Sequence, residues 1–152
     1  MGTVVTGAQC RGGGFSMLEL VMALAIAAVL AAYAVPAYVA YAARGHRIDA
    51  VIALHRAAQY LGGYPLTAGQ TRALPPGFER APGHGRAVYR LELVPGGDRN
   101  GGYEIRAIPA DDGPMRDDAC GTFVLDGLGV RLNRATGGEA AYSEACWSGR
   151  AA

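Results

Sequence analysis

Glu19 is the only charged side chain between residues 15 and 43 of this 152-residue chain. Phe15 stands four residues before it, behind Gly14, and the run 20–43 after it carries no charge at all. A carboxylate entering a bilayer with its helix costs about 2.5–3.5 kcal/mol on insertion scales. Such a group needs a compensating partner. Residues i and i+4 share a helix face, so Glu19 falls near the axial level of residue 15. The chemistry on offer is electrostatic, an ion pair in a dry environment where opposite charges attract far more strongly than in water. Ser16 and Glu19 also have capping-box spacing. That explains a polar residue at a helix start, but not an acid at the head of a membrane-length run.

Elsewhere the residues suggest little chemistry. There is no GxSxG, no Walker loop and no HExxH, so the chain reads as a non-enzyme with no metal and no cofactor. His46, His55 and His84 are isolated, the first two being surface or packing residues of a helix. Asp111, Asp112, Asp117 and Asp118 could hold calcium but lack EF-hand spacing, and a solvated loop is the better reading. Arg72, Arg80, Arg86, Arg90, Arg99 and Arg106 could form a basic stripe for DNA, with Tyr89 and Tyr103 available for stacking. Glu79, Glu92, Asp98 and Glu104 interrupt that stripe. With 14 basic and 13 acidic residues, the net charge of +1 makes no case for a polyanion partner.

The elements that must position these residues follow from periodicity. Residues 16–61 read as one long helix, of which 20–43 would span about 36 Å at 1.5 Å per residue. That crosses a hydrocarbon core of roughly 30 Å. A secretory signal has its small residues after the apolar core, whereas here the glycines precede it, so the segment is expected to stay in the mature chain. Pro36 should kink or locally open the helix. Beyond Tyr41 the helix becomes amphipathic, with Ile48, Val51, Ile52, Leu54, Ala58 and Leu61 as its apolar stripe. Arg44, Arg47, Asp49, Arg56 and Gln59 lie largely off that stripe. Gly62 and Gly63 end it and Pro65 prevents its resumption. Residues 64–86 read as a loop with room for a short strand or helical turn. Alternation then predicts strands over 87–94 and 103–108. A third strand is read over 120–125 and a short fourth over 130–133, with the remainder a loop tied back by Cys146. A long helix followed by an antiparallel meander is an α+β plan.

Gly14, Phe15, Glu19 and Pro36, at these spacings, resemble the prepilin signature of type IV pilins and of type II secretion pseudopilins. Cys120-Gly121-Thr122 and Cys146-Trp147 resemble the disulfide region of the pilin branch that includes many minor pilins. The resemblance implies a pilin fold divided into a leader (1–14), a transmembrane and assembly helix (15–43) and a globular domain (44–152). Within that domain it places helix 44–62, a connecting loop 63–86 and a sheet with the disulfide region over 87–152. It further implies cleavage after Gly14 and N-methylation of Phe15 by a prepilin peptidase and methyltransferase. Glu19 would meet the Phe15 amine of a neighbouring subunit, and Pro36 would mark a helix kink. The protein would be a single-pass inner-membrane subunit among lipids, with its domain in the periplasm. The inner-membrane assembly machinery would then move it into an extracellular pilus of other pilin subunits. Cys120 and Cys146 remain after loss of Cys10, an even pair in an oxidising compartment. Lacking CxxC spacing they make a poor zinc site, and a disulfide is the better reading, contributing about 3–4 kcal/mol. A pseudopilin and a DNA-binding competence pilin are the alternatives.

Overall fold

The computed structural model describes residues 15–63, 73–135 and 140–150. The chain divides into two compact units, with the boundary between Tyr38 and Val39. Helix α1 (Met17–Gly63) is the longest element. It is followed by β1 (Arg80–Ala81), β2 (Tyr89–Pro95), β3 (Tyr103–Pro109), β4 (Thr122–Asp126), β5 (Arg131–Arg134), β6 (Ala140–Ala141) and the short helix α2 (Glu144–Trp147). The strands form one antiparallel sheet in the order β1-β2-β3-β4-β5-β6. This is an α+β architecture, a long helix with its second half packed on a meander.

Alternation explains which face of the sheet meets the helix. Tyr89 and Leu91 of β2, Tyr103, Ile105 and Ala107 of β3, and Phe123 and Leu125 of β4 are buried together in the core, with Leu93 half-buried against them. For β2 and β3 these are the faces the period-two pattern predicts. The loop expected over 64–86 holds β1 within it. The expected C-terminal loop is more ordered than its sequence suggests, since β6 pairs with β5 and α2 follows. Ser143 caps α2, its side chain accepting from the Cys146 amide.

The buried stripe of α1 differs from the one expected. Arg47, Ala50, Leu54, Ala57 and Leu61 face inward. Ile48 and Ile52 are exposed, while Val51 and Ala58 are half-buried. The 3-4-3-4 spacing is that of a helix face, but it selects small residues. Ala50 and Ala57 let the backbone approach the sheet, where the large Ile48 and Ile52 drew the sequence reading onto the neighbouring face.

Candidate functional site

Phe15 and Ser16 lead into α1, and the Leu20 amide donates to the Ser16 carbonyl at 3.1 Å. The helical ladder therefore starts directly behind Phe15, with Glu19 in the first turn. Gly14 lies outside the described residues. From here to Tyr41 every large apolar side chain is exposed. Successive residues are 100° apart, so Leu20, Val21 and Met22 already point to three sides of the helix. A helix that is apolar all round is buried in a protein core or in a membrane. Within this chain none of the apolar stretch is buried, and α1 is long and apolar enough to cross a membrane. The helix runs through Pro36 without interruption.

The second constellation holds the C-terminal half of α1 to the sheet. Arg47 is buried, yet it is charged. It donates from both Nε (3.1 Å, to Oδ2) and a terminal guanidinium nitrogen (to Oδ1) to the carboxylate of Asp118. Asp118 Oδ2 also accepts from the Cys120 amide at 3.2 Å. One carboxylate thus joins the helix to the strand entry where the disulfide begins. Cys120 and Cys146 are bonded, with Cα atoms 5.7 Å apart. The disulfide stands beside an aromatic cluster. Trp147 meets Phe123 edge-on at 5.5 Å and His55 at 6.3 Å, and Phe123 meets Tyr89 at 5.9 Å.

The electrostatics follow from this packing. Burial pushes the Tyr89 phenol above its ordinary range; the charge of Asp118 adds to this and that of Arg47 opposes it. Its hydroxyl finds no hydrogen-bond partner among the described residues. Burial also holds His55 below its ordinary value, with Arg131 acting in the same direction.

Two sequence expectations are corrected here. The four aspartates of the 109–118 loop do not form one solvated cluster. Asp118 turns inward to Arg47, exposed Asp112 pairs with Arg86 at 2.9 Å, and exposed Asp117 meets Arg116 at 3.5 Å. Among the described residues no group of three His, Cys, Asp or Glu side chains is arranged to hold a metal. Tyr89 and Tyr103, offered for base stacking, are buried on the core face, because alternation sends them to the side opposite Arg90 and Arg106. The Arg47–Asp118 pair went unrecognised. Its one sequence signal is that Arg47 sits three residues before Ala50 and seven before Leu54, in line with the inner face. In comparisons with known proteins, the sequence matches no family model and no curated protein.

Proposed function

We propose that this chain is a structural subunit of a type IV pilus, a minor pilin with a pilin fold. The observation that carries this reading is the apolar circumference of α1 up to Tyr41, broken only by Glu19 in its first turn. Lipid satisfies such a surface in a single-pass inner-membrane precursor, and other subunits satisfy it in a filament. Cleavage after Gly14 by a prepilin peptidase would leave the Phe15 amine at the level of Glu19. In a dry filament core, Glu19 of one subunit would neutralise the Phe15 amine of the next and set the axial register. The domain beyond residue 43 would project outward, and the role needs no catalysis and no cofactor. Pro36 would give the helix a point of local opening.

A type II secretion pseudopilin shares the same helix. The Cys120–Cys146 bond and its sequence setting favour the pilin. A DNA-binding competence pilin is the weaker reading, since Tyr89 and Tyr103 are not available to bases.

The test is Glu19→Ala in the native membrane. The variant should be processed to a chain starting at methylated Phe15, as intact mass would read, and should be lost from sheared filaments by tenfold or more. Filaments containing the variant at the normal level would refute the assignment of Glu19. An unprocessed chain starting at Met1 would refute the pilin reading itself.

A further inference from the structure

A groove of about 400 Å³ opens beside α1 where its uncharged run ends, with Tyr41, Ala42, Arg44, Ile48 and Asp49 on the helix side. The other side is the turn that follows α2, at Ser148, Gly149 and Arg150. Gly149 sets the fit of that turn on the helix. It has φ +71°, and a Cβ there would lie 3.1 Å from Ile48 Cδ1 and 3.3 Å from the Arg44 carbonyl oxygen. Glycine permits both the backbone angle and the close approach. The Cys146 carbonyl accepts from the Gly149 amide at 3.0 Å, and Cys146 is bonded to Cys120. The groove wall is thereby tied to the sheet.

The groove carries one charge of each sign that the fold leaves without an ion pair. Neither Arg44 nor Asp49 has such a partner among the described residues. They stand five positions apart, whereas helix residues meet at spacings of three and four, so they do not neutralise each other. Arg150, by contrast, already meets Glu144 at 3.4 Å. The two unpaired charges are ordered along α1. Arg44 is next to the apolar run, and Asp49 is farther from it by about 7.5 Å at 1.5 Å per residue.

The position of the groove indicates its occupant. At 1.5 Å per residue the run 20–43 exceeds a hydrocarbon core of roughly 30 Å by about 6 Å. Its last residues therefore reach the headgroup layer. Tyr38 and Tyr41 are exposed there, and tyrosine is enriched at that level of a membrane. We propose, resting on the membrane reading above, that this groove holds the headgroup of a zwitterionic phospholipid with a primary amine, of the phosphatidylethanolamine class. The order of charges matches such a lipid. Its phosphate is nearer the acyl chains and accepts from the Arg44 guanidinium. Its ammonium extends farther out and donates to the Asp49 carboxylate. Ala42, Ile48 and the Tyr41 ring supply the apolar wall for the glycerol end. A choline headgroup has no N–H to donate to Asp49, and an anionic headgroup without an amine leaves that carboxylate unpaired.

The test is native mass spectrometry of the detergent-solubilised full-length chain. Short-chain phosphatidylethanolamine, phosphatidylcholine and phosphatidylglycerol are offered in equal amounts to the wild type, Arg44→Gln, Asp49→Asn and Arg99→Gln, the last lying outside the groove. The wild type should retain one phosphatidylethanolamine at least tenfold over either competitor. Arg44→Gln should lower that adduct at least fivefold, Asp49→Asn should bring the ethanolamine and choline lipids to equal retention, and Arg99→Gln should change nothing. Intact mass verifies the disulfide in each variant, which separates loss of the site from misfolding. Equal retention of the three lipids by the wild type, a preference that survives both groove variants, or chain dimers in place of lipid adducts would each overturn the proposal. Alkaline carbonate extraction keeps the two readings apart. A chain that stays in the membrane fraction but shows no selective adduct refutes the headgroup site alone, whereas a chain released without detergent refutes the membrane reading and the site with it.

Discussion

The two halves of α1 are the same secondary structure with two different surfaces. Up to Tyr38 the helix exposes apolar side chains on every side. From Val39 to Gly63 it divides, with Arg47, Ala50, Leu54, Ala57 and Leu61 buried and Arg44, Arg56 and Gln59 in water. The first half is richer in large apolar residues, yet it contributes little to the fold of this chain. Helicity is local, whereas stabilisation depends on what a surface packs against. The second half achieves its packing with alanines and one neutralised arginine.

The largest effect is expected where that second half carries charge. Asp118→Ala removes the carboxylate to which the buried Arg47 donates and the acceptor of the Cys120 amide. Breaking a buried pair from one side costs about 3–5 kcal/mol. Urea unfolding of the domain should show a midpoint shift of that size, while the double change Arg47→Met with Asp118→Leu should recover most of it. A single variant as stable as the wild type would mean the pair adds nothing to this half.

The disulfide comes next. Cys120→Ser with Cys146→Ser opens a closure of 26 residues, for which the chain-entropy relation gives about 3–4 kcal/mol. The same urea experiment reads it, and reductant should reproduce it in the wild type but not in the variant.

A matched leucine pair sharpens the comparison. Leu54→Ala removes a fully buried side chain and should cost about 2–5 kcal/mol. Leu24→Ala, in the exposed half, should stay within about 0.5 kcal/mol for domain unfolding, with any defect appearing in membrane retention or filament yield. Equal losses of domain stability would erase the distinction between the halves.

The smallest effect is a pH dependence. The folded state holds His55 below its unfolded value of about 6.5. The unfolded chain therefore binds the proton more readily. The His55 contribution is fully present above that value and is lost as pH falls through it toward the lower folded value. Melting temperatures at pH 7.5 and 5.5 should differ more in the wild type than in His55→Gln; identical differences would remove His55 from the account.

How much of this was legible in the sequence varies with the range of the interaction. Strands β2 to β5 lie on segments that read as strands in the sequence, and for β2 and β3 the inner faces are those the alternation names. The ends of the sheet do not. Arg80–Ala81 and Ala140–Ala141 are two residues each, too short for a period, and exist because a neighbouring strand offers them an edge. Within the candidate site, Phe15 and Glu19 stand out because composition around them is uniform. Asp118 does not, because three other aspartates in the same loop look the same.

By itself, the sequence determined the long helix, the isolation of Glu19, the alternating strands and the availability of two cysteines. These rest on interactions between residues close in the chain, or on bulk composition. Tertiary structure alone decided which face of α1 is buried, which aspartate of the loop is neutralised, and that the turn after α2 closes a groove against Arg44 and Ile48. Each of those depends on segments distant in sequence being brought together, as when Arg47 meets a carboxylate 71 positions away. No local pattern encodes that meeting; it follows from packing the sheet against two alanines of the helix.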